Sequence, residues 1–247
     1  MSSIQLWSVR EAVREAGWDA ALERLAESGF ARVEPFALHL LRDEIVPAIR
    51  RAGLATPSAH GFLGADDLDA TLDVAAELRV ETVFHPHIGE DGWRDAASIA
   101  ETALLLRTAA DRASARGIRV GFHNHEFEFL HDVDGQPAFW ALIEQLPADI
   151  AVEYDVYWAA IAGRDIVADI RRLGSRAAAL HLKDGPYRAG PEDQVALGDG
   201  DLPLEEILAA APDALAVLSF DRMPGTSADI WTAIERSQLW LSQPVRA

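Results

Sequence analysis

Cysteine is absent from the 247 residues. That excludes disulfides, a thiol nucleophile, thiolate zinc sites and iron–sulfur ligation together. Positive charge is scarce as well: 22 Lys+Arg stand against 40 Asp+Glu, a formal balance of −18. A field of that sign repels phosphate backbones and anionic membranes. No basic patch offsets it, since Arg50-Arg51 and Arg171-Arg172 read as ordinary helix surface, so nucleic acid is not an expected partner. No apolar run nears the ~20 residues that span a bilayer, and Met1 to Arg14 lacks the apolar stretch of a secretion signal. Linkers rich in Pro, Gly and Ser are missing too. The expectation is one cytoplasmic domain over residues 1–247, with 49% hydrophobic residues for its core.

Two periods alternate along the chain. Short apolar segments begin at Ile4, Ala31, Ala55, Thr82, Ile118, Ala151, Ala178 and Ala216. Each is followed by a stretch with apolar residues at helical spacing, such as Trp18, Leu22 and Leu25, or Ile99, Leu106, Ala110 and Ala113. Eight strand–helix pairs filling the chain predict a single (β/α)8 barrel; a doubly wound sheet is the runner-up. The unpatterned stretch Asp184 to Pro203 then becomes the loop after strand seven, a natural lid.

Six of the eight histidines, His60, His85, His87, His123, His125 and His181, fall at or beside the predicted carboxyl ends of strands three, four, five and seven. Glu34, Asp155, Asp184 and Asp221 end or follow strands two, six, seven and eight. In a β/α barrel those ends converge on the catalytic mouth. Imidazole nitrogen and carboxylate oxygen together suit zinc, manganese, cobalt or iron, and such an ion polarises a carbonyl.

The segment Gly121-Phe122-His123-Asn124-His125-Glu126-Phe127-Glu128-Phe129 resembles strand five of the xylose isomerase-like TIM barrels, the sugar phosphate isomerases and epimerases. Gln5 to Arg10, Gly29 to Glu34, Ser58 to His60, Glu153 to Trp158, Leu180 to Asp184 and the loop Gly198 to Leu202 resemble that family in the same order. The resemblance implies an enzyme of carbohydrate metabolism that moves a proton next to a carbonyl and uses Mn, Mg, Co or Zn. It implies metal ligands Asp155 and His181, matching the family's strand-six aspartate and strand-seven histidine. For strand five the ligand is Glu128, with His123 the substitute and Glu126 a further candidate. Strand eight departs: Ser219 stands where the family has a glutamate, so Asp221 or a water completes the shell, or the metal site is lost.

On this reading His125 or Glu128 shuttles the proton and Lys183 neutralises an oxyanion or a phosphate. Arg10, Glu34, His60 and His123 bind substrate hydroxyls, and Trp158, with Trp7, Phe62, Phe122 and Tyr157, offers an apolar face to a sugar ring. Isomerisation and epimerisation share an enediolate step with dehydration. A keto-inositol dehydratase and a 3-keto-glycoside lyase are therefore the next readings, and a metal-free sugar-binding barrel is the rival that Ser219 motivates. The family's DNA-repair relatives conflict with the acidic balance. Trp231 and Trp240 on the last helix suit a homodimer patch as well as barrel packing.

Overall fold

The structure is a computed structural model that describes residues 2–187, 190–221 and 227–243. Eight parallel strands form the barrel: β1 Ser3–Gln5, β2 Val33–Glu34, β3 Ser58–His60, β4 Thr82–His85, β5 Arg119–His123, β6 Ala151–Asp155, β7 Ala177–Leu182 and β8 Leu215–Leu218. Hydrogen bonding runs β2-β1-β8-β7-β6-β5-β4-β3. The ring closes between β2 and β3 through a parallel bridge at Arg32 and Ala55, with Val33 N donating to Ala55 O (2.9 Å) and His60 N to Pro35 O (2.8 Å).

The helices are α1 Arg10–Glu27, α2 Leu38–Ala52, α3 Leu68–Leu78, α4 Ala96–Ser114, α5 Phe127–Leu130, α6 Ala138–Gln145, α7 Val156–Ile161, α8 Ile166–Leu173, α9 Leu204–Ala210 and α10 Ser227–Leu241. None of those described is long and apolar enough to cross a membrane. The strands are shorter than their apolar runs suggest. After Gln5 the chain tightens into a 3-10 turn, Leu6–Val9, which lets Phe220 N donate to Ser8 Oγ (2.9 Å) and ties the first strand to the last. Glycine breaks α1 inside, at Gly17 (φ 84°). Two short helices, α5 and α7, have no counterpart in the periodicity; neither is long enough to show one. Between α5 and α6 sits a small hairpin, Asp132–Val133 against Gln136–Pro137, turned by Asp134 and Gly135 at φ 54° and 87°. Asp-Gly is the favoured pair for such a two-residue turn.

The barrel interior is layered because alternate strand residues share a face. Phe84, Ala151, Ala179 and Val217 fill the lower level. Two residues beyond Ala151, Ala179 and Val217 come Glu153, His181 and Ser219, two beyond Gly121 on β5 comes His123, and another step along β6 and past β7 brings Asp155 and Lys183. The lower layer makes its own demand on Gly121, whose Cβ would overlap the Phe84 ring and meet Ala151 O at 3.0 Å. Trp231 is buried in the helical coat and Trp240 half-buried against it, so the expected pair of exposed aromatics does not form.

Gly121→Ala should cost about 1–3 kcal/mol of stability by overpacking, read as a lower midpoint in urea. Phe84→Leu in the same chain should recover part of the loss; full stability in Gly121→Ala alone would contradict this packing.

Candidate active site at the carboxyl-terminal mouth

Eight buried side chains make the floor of the site, and a hydrogen-bond chain sets their orientation. Ser219 Oγ donates to Gln5 Oε1 (3.1 Å), and Gln5 Nε2 meets His60 Nδ1 (3.1 Å). That contact leaves His60 Nε2 to carry the proton, facing Glu153 Oε2 at 2.5 Å. The same oxygen lies 3.1 Å from His123 Nδ1 and 3.1 Å from His181 Nε2. His181 Nε2 also meets Glu34 Oε1 at 2.8 Å, and Ser58 Oγ donates to Glu34 Oε2 (2.5 Å). Ser219 is thus the start of an orienting chain.

Burial sets the charge states. It pushes Glu153 well above the carboxylate range, and neighbouring Glu34 adds to the effect. Burial also raises Glu34, but the nearby His60 and His181 overcome it and hold Glu34 low. Two carboxyls this close do not both ionise. Burial lowers His60 to about 3 and takes His123 well below its ordinary value. For His181 the carboxylates Glu34 and Asp155 outweigh burial and raise it.

Above this floor each of two histidines turns its second nitrogen toward Asp155. His123 Nε2 and His181 Nδ1 lie 3.8 and 3.7 Å from Asp155 Oδ2, and His181 Nδ1 is buried with no hydrogen-bond partner. The other oxygen, Asp155 Oδ1, caps α7 by accepting from Tyr157 N and Trp158 N (both 3.0 Å). Asp155 Oδ2 receives the Lys183 ammonium, which also lies 3.0 Å from Asp221 Oδ2. Burial works against a charge on Lys183, yet Asp155 and Asp221 raise its pKa, so it stays an ammonium. Asp221 Oδ2 further accepts from Trp158 Nε1 (2.9 Å), and Asp221 O accepts from Arg10 Nη2 (2.7 Å).

Composition singles out Lys183 as well as its place after strand seven. Lys183 is the only lysine of the chain; the other 21 of its 22 basic residues are arginines. Glu153, by contrast, is hidden in the sequence, a glutamate in mid-strand that only the closed barrel turns inward.

Two sets of donors can hold a cation. The atoms offered by His60, His123, Glu153 and His181 lie within 4.8 Å of one another. The second set is His123 Nε2, His181 Nδ1 and Asp155 Oδ2, just above. Donors bonded at about 2.0–2.2 Å to one ion sit roughly 3–3.5 Å apart, a little less than the 3.8 and 3.7 Å from Asp155 Oδ2 to the two nitrogens. Glu128 and Asp221 belong to neither set. Glu128 is buried under His125, with Oε2 accepting from His125 N (2.8 Å) and Oε1 lying 3.8 Å from His125 Nδ1. Neither of those last two atoms has a hydrogen-bond partner, and burial raises the Glu128 carboxyl.

The His125 ring stacks on Phe127 (5.5 Å, 6°) and touches Trp158, His87 and His123 with its other faces. Since Nδ1 is buried, its 22% side-chain exposure falls elsewhere on the ring. At the rim Trp7 and Phe62 are 39% and 38% exposed, whereas Phe122 and Tyr157 are core. The loop after β7 is tied down: Asp184 accepts from the backbone N of Gly185, Gly198, Gly200 and Leu202. A cavity of about 890 Å3 opens at the opposite end, among Arg32, Thr56, Ser58 and Asp213, away from the imidazoles.

A family model described as xylose isomerase-like TIM barrel matches residues 2–214. The 2-epi-5-epi-valiolone 7-phosphate 2-epimerase of an Actinoplanes strain is 32% identical over 133 residues, 52% of this chain and 45% of that protein. The match therefore spans less than half of that relative. A sugar phosphate isomerase/epimerase from Parabacteroides distasonis superposes with TM-score 0.80 at 19% identity, over 97% of this chain and 92% of that one. A probable 3-DHS dehydratase from Bacillus anthracis gives 0.74 at 12% identity, over 98% of each chain. At such identities the two structures establish the fold alone.

One histidine off the cation sets gives a pH test. His85 Nδ1 accepts from Leu63 N (3.1 Å), and burial, helped by His87, lowers His85 from 6.5 to about 4. Between those values the unfolded chain binds the proton that the folded chain refuses. Stability from this group is therefore whole above pH 6.5, is lost as pH falls from 6.5 to about 4 and levels off below that, a loss of at most about 3 kcal/mol. His85→Asn, which keeps an acceptor but does not titrate, should flatten that part of the urea stability curve; an unchanged acid slope would contradict it.

Proposed function

The chain belongs to the xylose isomerase-like TIM barrel family, and from that premise we propose that it is an epimerase or isomerase of a keto-sugar or sugar phosphate, transferring a proton at the carbon next to a carbonyl. The observation that carries the reading is the double use of His123 and His181. Each turns one ring nitrogen to an acid behind it, the protonated Glu153 or the ionised Glu34, and the other toward Asp155. Metal-binding imidazoles ordinarily have a carboxylate or carbonyl on the nitrogen away from the ion.

The partnerless His181 Nδ1 favours the upper donor set over the lower one, whose atoms already pair with one another. His123, His181 and Asp155 would thus hold a divalent cation, with His60, Glu153 and Glu34 orienting the rings. Such an ion supplies a Lewis acid beside the substrate carbonyl and offsets the negative charge that develops there.

The remaining steps fall to the protein's own groups. His125, wedged between Phe127 and Trp158, takes the proton through its open edge, and Glu128 behind Nδ1 holds the ring and steadies the imidazolium. The Asp221 carboxylate, fixed by Trp158 Nε1, faces the mouth beside it. Trp7, Phe62 and Trp158 provide apolar walls for a sugar ring, and Arg10, anchored by the carbonyls of Trp7 and Asp221, places its positive charge beside them. The epimerase name of the Actinoplanes relative agrees in reaction type.

The test is a panel of keto-sugars and their phosphates in D2O with added Mn2+, Co2+ or Zn2+, following deuterium uptake at the carbon next to the carbonyl by NMR. His125→Ala should slow exchange about 10²–10⁴-fold while the far-UV spectrum is unchanged. Asp155→Asn should also lower the bound ion per chain. Exchange at wild-type rate in both variants would refute the assignment.

A further inference from the structure

Lys183 is fully buried, and nothing in the reaction as argued requires its ammonium to sit on Asp155. That contact has a cost for cation binding. Asp155 Oδ1 is committed to two backbone N–H groups of α7, so Oδ2 is the one oxygen available to an incoming ion, and Lys183 occupies it. A second carboxylate waits beside it: Asp221 Oδ2, 3.0 Å from Nζ, part-exposed and held in place by Trp158 Nε1. The choice of residue fits a moving charge. Lysine is a compact cation on a flexible stem, whereas arginine carries a planar fork suited to fixed pairing. This chain uses arginine at 21 positions and lysine only here.

We propose that Lys183 is an internal counterion that keeps the place of the divalent cation, neutralising Asp155 in the ion-free protein and passing to Asp221 when the cation enters. The inference rests on the reading that His123, His181 and Asp155 receive the ion. It accounts for how four fully buried acid and ammonium groups, Glu34, Glu153, Asp155 and Lys183, stay compensated before any ion arrives. It also makes Asp221 a positioning residue for Lys183, which is a role for that aspartate other than ligation.

Titration calorimetry of the full chain with Mn2+ tests the exchange. Lys183→Met should bind Mn2+ at least tenfold more tightly than wild type, and its ion-free form should melt at a lower temperature because Asp155 has lost its partner. Lys183→Arg keeps the charge but not the compact, mobile head, and should bind more weakly than wild type. Asp221→Asn removes the second carboxylate and should also weaken binding.

A measurement on the unaltered protein guards against variants that do not fold. Acetic anhydride labelling, quantified at the Lys183 peptide by mass spectrometry, should be slow without the ion and several-fold faster with Mn2+. Equal Mn2+ affinity in wild type and Lys183→Met, together with labelling indifferent to Mn2+, overturns the counterion role and leaves the cation site standing. Failure of both proteins to bind any of Mn2+, Co2+ or Zn2+ overturns the cation site, and the counterion role with it.

Discussion

Glu34, Glu153, Asp155 and Lys183 lie in one barrel with no exposure to solvent. An ionised side chain moved from water into such a place costs several kcal/mol unless opposite charge and hydrogen bonds meet it. Here the compensation is internal and complete enough to dictate the surrounding residues. Glu34 is met by His181 and Ser58, Asp155 by Lys183 and the start of α7, and Glu153 stays protonated among three imidazoles. The orientation of each ring follows from these pairings. Ser219, just past β8, and Gln5, on β1, reach His60 on β3, and through it Glu153 on β6.

That network ties the chemistry to the fold. Asp155 caps α7 with one oxygen and faces the site with the other, so the helix start and the reactive geometry share one residue. Asp184 plays the matching part for the loop after β7: four backbone donors converge on its carboxylate and fix the Gly198–Leu202 segment. Gly200 has no room for a side chain there, since a Cβ would strike that carboxylate. The segment expected to be a lid is, across its described residues, a strap.

Much of this was legible in the sequence for a physical reason. Strand and helix periods survive in one dimension, so the eight pairs, and the gathering of histidines at strand ends, can be read without coordinates. The mouth position of His123, His125, His181 and Asp155 followed from that alone. What did not survive is depth. Glu128 and Asp155 both follow strands in sequence, yet α5 bends back under His125 and buries Glu128 against that ring, away from the upper donor set. Glu153 reads as an ordinary mid-strand residue until closure turns it inward beneath His123. The Asp134-Gly135 turn was visible as a dipeptide but lay outside the eight-pair pattern.

The departure at strand eight shows how a missing ligand is absorbed. With serine at 219, the layer that holds the three imidazoles has one acid fewer than a glutamate there would give it, and so attracts a cation less. The chain places carboxylates nearby instead: Glu34 and Glu153 behind the rings, Asp221 two residues beyond the serine. Behind the rings the ionised Glu34 raises the basicity of His181, while the protonated Glu153 orients its neighbouring imidazoles. The lysine between Asp155 and Asp221 then sets the local charge before binding. If the proposed cation site holds, its affinity is set by the groups adjoining the donors as well as by the donors themselves, so a single ligand position is a poor guide to whether such a site is retained.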